Sequence, residues 1–176
     1  MRRLWAPWRI GYLTQARKPS SGDCLFCRIR KSRADSKNQV LVRGEHGFSL
    51  LNRFPYNNGH LMVAPYRHIS GLDLLTETEW LDLFRLINDS TARLDSVVAP
   101  HGYNIGVNIG RTAGAGIPDH VHCHIVPRWV GDSNFMPVIA GVKVVSQSLA
   151  EAHRQLLRAQ GSYRHAAIRN SHTRRG

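Results

Sequence analysis

Residues 118 to 128 read Pro-Asp-His-Val-His-Cys-His-Ile-Val-Pro-Arg, so that His120, His122 and His124 alternate with Val121, Cys123 and Ile125. Side chains along a strand point to opposite faces in turn, which places the three imidazoles on one face and the three apolar groups on the other. The chain must therefore build a sheet that buries the apolar row and keeps the imidazoles together on its open face. Histidine is the side chain whose ordinary pKa lies near neutrality, so such a row suits metal binding, or proton and nucleophile chemistry. A glycine-rich run, Gly110-Arg-Thr-Ala-Gly-Ala-Gly116, leads into the row, and Pro127 closes it.

The rest of the chain supplies one such sheet and little else. A length of 176 residues, 42% of them apolar, fits a single domain with a real core. Residues 40–43 and 47–51 are β-prone around Gly44-Glu-His46 and read as a hairpin, and His60-Leu-Met-Val-Ala64 reads as a third strand launched from the turn Pro55–Gly59. Thr76 and Glu79 form a capping signal for a long helix to about Val98. Its stripe of Trp80, Leu83, Phe84, Ile87 and Leu94 is read as core packed on the sheet. Tyr103–Asn108 is a fourth strand, the histidine row a fifth, and Ser148 with Glu151 caps a final helix to about Gln160. The fold class is α+β: an antiparallel sheet of about five strands, one long helix and a C-terminal helix.

Charge and cysteines narrow the function classes. The formal charge is +12, yet residues 1–37 hold ten Lys/Arg against two acids, 151–176 six against one, and 38–150 eight against nine. A near-neutral centre is no nucleic-acid groove, so specific nucleic-acid binding is not expected, and the basic ends are suited only to weak polyanion contact. The chain divides into a basic, irregular segment over 1–37, a domain over 38–160 and a mobile basic tail over 161–176. No apolar run is long enough to span a membrane and no leader precedes the domain, which implies a cytoplasmic protein with reduced thiols. Cys24-Leu-Phe-Cys27 has the spacing of a zinc half-site, whereas Cys123 lies in the apolar row and reads as a small buried hydrophobe.

His120 to Val126 resembles the signature of the histidine-triad (HIT) family, His-apolar-His-apolar-His and two further apolar residues. The resemblance implies a HIT-like fold, a homodimer formed through paired sheets, and nucleotidyl transfer or hydrolysis in which His122 attacks the α-phosphorus of a nucleotide. It implies supporting roles for His124, which stabilises developing charge or the leaving oxygen, and for His60, near the catalytic imidazole. Asn52 corresponds to a residue contacting the ribose hydroxyls, and Asn108 to an amide at the α-phosphate. A backbone carbonyl or His60 sets which nitrogen of His122 carries the proton. Gly114 and Gly116 let backbone N–H groups approach phosphate, and Arg111 adds positive charge there. Zinc-containing members complete a structural site with two histidines, which here fall on His68 and His120, beside Cys24 and Cys27. A divalent cation travelling with the polyphosphate is a further expectation.

Leu4-Trp-Ala-Pro-Trp-Arg9 and residues 113–136 resemble the branch that contains dinucleoside polyphosphate phosphorylases. The Gly-Gln-Ser/Thr found before the triad in many members is replaced by Ala115-Gly116, with Asp119 as an additional residue, so backbone donors stand in for those side chains. Phosphorolysis of a diadenosine tetraphosphate type of substrate is therefore the expected reaction. Hydrolysis of the same substrates and nucleoside phosphoramidate cleavage are the enzymatic alternatives. A non-catalytic nucleotide- or RNA-binding protein is the alternative of another class.

Overall fold

The computed structural model describes residues 24–132, 147–159, 161 and 163. Expectations placed on Trp5, Pro7 and Trp8, on the loop 19–22, on the stretch after 132 and on the chain beyond 163 lie outside the described residues. Helix α1 spans Leu25–Lys31 and a single turn, α2, spans Asp35–Asn38. The strands follow as β1 (Val40–Arg43), β2 (Gly47–Leu51) and β3 (Leu61–Pro65). The long helix α3 (Glu77–Val98) leads to β4 (Gly102–Val107) and β5 (Cys123–Arg128), and α4 (Leu149–Arg158) ends the described elements. The five strands form one antiparallel sheet in the order β1-β2-β3-β5-β4.

Every residue of β2 and β3 is buried, because both faces of the sheet are covered. Leu51, Leu61, Val63 and Ile125 pack with Leu83, Leu86 and Leu94 of α3 and with Leu156 of α4. The alternate residues Phe48, Leu50, Met62 and Ala64 pack with Phe26 and Ile29 of α1. Residues 24–38, irregular in the sequence reading, thus include a helix whose apolar side completes a second core. A Cβ on Gly47 would meet the Ala64 carbonyl oxygen and Leu83 at 2.7 Å each, so the absent side chain is what lets α3 approach β2.

The capping box at Thr76 and Glu79 is formed, and Ala99 ends α3 in the left-handed region at φ 42°. Which side of α3 is buried differs from the expected stripe. Leu83 and Leu94 are core, but Phe84 is 54% exposed and the buried face also carries Asp82, Leu86, Asp89 and Ser90. Two acids account for the misreading, since they look like solvent residues but have partners inside. Asp82 accepts from the His46 backbone N–H at 2.7 Å and the Tyr163 hydroxyl at 2.6 Å, and Asp89 accepts from Arg93 and from the Tyr163 backbone N–H. The chain is accordingly held against α3 as far as Tyr163.

Candidate active site

The histidine row is half strand. Pairing of β5 with β3 begins at Cys123, opposite Val63, and His120 to His122 precede it as extended chain. The ladder stops there because Pro65 has no N–H to donate, and its carbonyl oxygen accepts instead from His120 Nε2 at 3.0 Å. A hydrogen bond from Val121 N–H to the Ile69 carbonyl, 2.6 Å, keeps the segment extended, so the alternation persists: Val121 and Ile125 are buried against α3 and the imidazoles face the other way.

That other face is not open, as expected from the sequence, but roofed by α1. Phe26, completely buried between the two cysteines, lies 5.1 Å from the His120 ring and 4.9 Å from the His122 ring, centroid to centroid. Burial lowers the pKa of His122 and brings His120 and His124 down to about 4; the neighbouring His122 lowers His124 further. The three rings are neutral at neutral pH.

Hydrogen bonds fix where each neutral ring carries its proton. The His120 carbonyl, which only accepts, lies 2.8 Å from His122 Nδ1, so Nδ1 is protonated and Nε2 holds a free lone pair. The carbonyl, then, and not His60, sets the tautomer of His122. His60 serves His124. The Tyr56 backbone N–H donates to His60 Nδ1 at 3.0 Å, leaving the proton on His60 Nε2, which donates to His124 Nδ1 at 3.0 Å. His124 consequently carries its proton on Nε2. With the His122 and His124 rings 4.8 Å apart, the site offers a nucleophilic nitrogen beside an N–H donor.

The expected binding residues are placed less fully. Asn52 lies 3.3 Å by its amide nitrogen from His60 Nδ1, while its Oδ1 accepts the Phe54 backbone N–H at 2.9 Å. It therefore supports the His60 relay and the 52–60 loop. Asn108 follows the end of β4, where Val107 pairs with Cys123, so the antiparallel register carries it to the level of His122. Arg111 and Gly116 are exposed on the glycine loop, in which Gly110 and Gly114 adopt φ of 79° and 86° and the Gly114 N–H closes a turn on the Arg111 carbonyl. Phe26 and Tyr56 were not legible as site residues; the one signal was the position of an aromatic ring between two cysteines.

Beside the row, Cys24, Cys27, His68 and His120 bring four ligand atoms within 4.8 Å of one another. His120 Nδ1 is 3.3 Å from Cys24 Sγ, 3.7 Å from Cys27 Sγ and 3.2 Å from His68 Nδ1, and Cys27 Sγ is 3.3 Å from His68 Nδ1. Metal–sulfur bonds of about 2.3 Å and metal–nitrogen bonds of about 2.0–2.1 Å give tetrahedral edges of about 3.3 Å between nitrogens and about 3.6 Å between nitrogen and sulfur. The four edges given above match those lengths. Because Pro65 holds the Nε2 proton of His120, its Nδ1 lone pair faces the cluster, the tautomer a metal requires. Arg67, next to His68, makes a two-pronged ion pair with Glu79 at 2.6 and 2.7 Å, which ties the ligand loop to α3.

A sequence profile of the HIT domain matches residues 33–130. The chain belongs to the HIT family. It is 40% identical over 162 residues to AP-4-A phosphorylase of Mycobacterium tuberculosis, an alignment covering 89% of this chain and 83% of that protein. It is also 35% identical over 95 residues to the asymmetrical bis(5'-nucleosyl)-tetraphosphatase of Schizosaccharomyces pombe, covering 54% and 52% of the two chains. Among solved structures, a zinc-bound histidine triad family protein of Mycobacterium smegmatis shares the fold, with a TM-score of 0.61 and 22% identity, covering 78% of this chain and 93% of the other. This HIT protein is an enzyme of that family, and its sheet, long helix and triad agree with the α+β class expected from sequence.

Proposed function

We propose that this HIT protein transfers a nucleotidyl group from a dinucleoside polyphosphate, of the diadenosine tetraphosphate type, to inorganic phosphate through a nucleotidyl-His122 intermediate. The observation that carries the reading is the 2.8 Å hydrogen bond from His122 Nδ1 to the His120 carbonyl, which leaves Nε2 the nucleophile. Nε2 attacks the α-phosphorus, the bond to the bridging oxygen breaks, and a nucleoside triphosphate leaves. Once phosphorylated, the ring is cationic, and the carbonyl on Nδ1–H stabilises that charge. His124 Nε2–H, oriented by His60, donates a hydrogen bond to the departing oxygen and stabilises the charge that develops there. A phosphate oxygen then attacks the same phosphorus, the P–N bond breaks with its electron pair returning to His122 Nε2, and a nucleoside diphosphate is released with the ring neutral again. Asn108, Arg111 and the N–H groups around Gly114 and Gly116 hold the phosphates, and Asn52 contacts the ribose of the nucleoside carried on His122.

Support for phosphate as acceptor comes from the 40% identity to the mycobacterial phosphorylase and from Ala115-Gly116 in place of an amide and a hydroxyl. The yeast tetraphosphatase supports water as acceptor. Product analysis with diadenosine tetraphosphate separates them. ADP and ATP formed only when phosphate is present are expected; AMP and ATP without phosphate would make the protein a hydrolase. Turnover of an adenosine phosphoramidate alone would make it a phosphoramidase, and binding without turnover would end the enzymatic reading.

Zinc is the ion that two thiolates and two imidazoles suit, and its role is structural, since four protein ligands leave no open position. A divalent cation accompanies the polyphosphate, and free thiols at all three cysteines agree with the cytoplasm. A second copy packs on the edge strand β4 and the outer side of α3. There Trp80 and Phe84 stack at 5.7 Å, Ile105 and Ile109 are exposed, and a cavity of about 190 Å³ is lined by Leu72, Ile87 and Val107 as well as His122.

A further inference from the structure

The turn between β2 and β3 decides whether His124 can donate. His60 Nε2 and His124 Nδ1 lie 3.0 Å apart with one proton between them, and the pair has two arrangements. With that proton on His60, His124 carries its own on Nε2 and donates; with it on His124 Nδ1, Nε2 is a bare lone pair that repels a departing oxygen. The Tyr56 N–H at 3.0 Å and, more weakly, the Asn52 amide at 3.3 Å face His60 Nδ1 and select the first, because a protonated Nδ1 would meet another N–H. The stronger donor sits on a surface turn, where Arg53, Phe54 and Tyr56 are exposed, and such a turn keeps its place only if it is tied down.

Asn57 ties it. Its amide nitrogen donates to the Pro127 carbonyl in β5 at 3.2 Å and to Asp132 Oδ2 at 2.9 Å, while its own backbone carbonyl accepts the His60 N–H at 3.2 Å. A carbonyl and a carboxylate only accept, so the orientation of the amide is settled, and its Oδ1 turns back to accept the Asn58 N–H at 3.1 Å. Asp132 is held in turn by Arg128, whose Nε and Nη2 donate to it at 2.6 and 2.8 Å, and by the Trp129 N–H at 3.2 Å. With its side chain only 9% exposed, the carboxylate has little water to turn to instead. We propose that Asn57 and Asp132 are positioning residues for nucleotidyl transfer: they pin the turn to the end of β5, so that the Tyr56 N–H stays on His60 and His124 stays a donor toward the departing oxygen. This rests on the transfer reading above and adds to it two residues that act through His60 and His124 rather than on the substrate.

The test compares wild type with Asn57→Asp, which keeps the shape but turns an acceptor toward two acceptors, and with Asp132→Asn, a milder change to the same contact from its other end. In both, the donation of Asn58 to Gln147 at 3.1 Å still holds the far side of the turn. Nitrogen-15 spectra of the imidazoles, recorded on the folded protein without substrate, report which ring nitrogen carries each proton. Wild type should show His60 and His124 both protonated at Nε2. In Asn57→Asp most of His124 should carry its proton on Nδ1, and kcat with diadenosine tetraphosphate should fall about tenfold, in proportion to the rings that keep the Nε2 proton, with KM near the wild-type value. Asp132→Asn should move both readouts the same way and less far, and it decides the matter alone if Asn57→Asp does not fold. Unchanged tautomers in the variants, or a raised KM with kcat intact, would mean that the turn serves only the ribose contact of Asn52; either overturns the positioning role in a protein that still turns over. Wild-type protein that cleaves no dinucleoside polyphosphate would instead overturn the transfer reading, whatever the tautomers.

Discussion

At the scale of single residues, three neutral imidazoles receive distinct tasks from three oxygen or nitrogen neighbours. The His120 carbonyl holds the Nδ1 proton of His122, Pro65 holds the Nε2 proton of His120, and the Tyr56 N–H, through His60, places the proton of His124. Replacing His122 by alanine should reduce turnover by about 10⁴-fold or more while leaving the circular dichroism spectrum unchanged, as for loss of other covalent nucleophiles. The acid limb of activity should lie below the free-imidazole value of 6.5. Burial lowers the pKa of His122, so its Nε2 stays an unprotonated nucleophile as pH falls past 6.5 and loses that role only at more acidic pH. A kcat/KM profile that halves near pH 6.5 would show that substrate-free His122 is not buried as described.

At the scale of elements, the alternation of His120 to Ile125 was legible because period two is a strong signal, and the hairpin 40–51 and the cap at Thr76 were legible because their turn and capping residues act locally. What covers the histidines was not. Leu25–Lys31 is short, basic toward its C-terminal end and buried only at Phe26 and Ile29, and its place over the triad depends on long-range contacts that no local pattern reports. The face of α3 was misassigned for a related reason, since Asp82 and Asp89 are inside only because Tyr163, His46 and Arg93 meet them there. Gly47→Ala should destabilise the fold by about 1–3 kcal/mol in denaturant titration, because backbone and Leu83 stand where the methyl would go. Glu79 gives a pH-dependent contribution. Its contact with Arg67 lowers its pKa to about 2, so the stabilisation is fully present above its ordinary value of 4.5 and is lost as pH falls toward 2. Glu79→Gln should therefore flatten the stability-versus-pH curve between those limits.

At the scale of the molecule, the sheet carries the triad between two covered faces, and the cluster of Cys24, Cys27, His68 and His120 brings together α1, the loop after β3 and the segment before β5. Cys27→Ser should lower zinc content below one ion per chain and Tm by roughly 5–10 °C, since about 2–4 °C accompanies each kcal/mol in a chain of this size. The exposed ring of Phe84 beside Ile105 on the β4 edge should show as dimerisation: Phe84→Glu combined with Ile105→Glu is expected to shift sedimentation equilibrium from dimer to monomer. Rapid quench of a reaction between the protein and dinucleoside tetraphosphate labelled at the α-phosphorus reaches the centre of the mechanism most directly. Expected is a transient, acid-labile, base-stable label that maps to the peptide containing His122 and decays at the rate of product formation. Full turnover with no label on the protein at any time, or label on another residue, would contradict it.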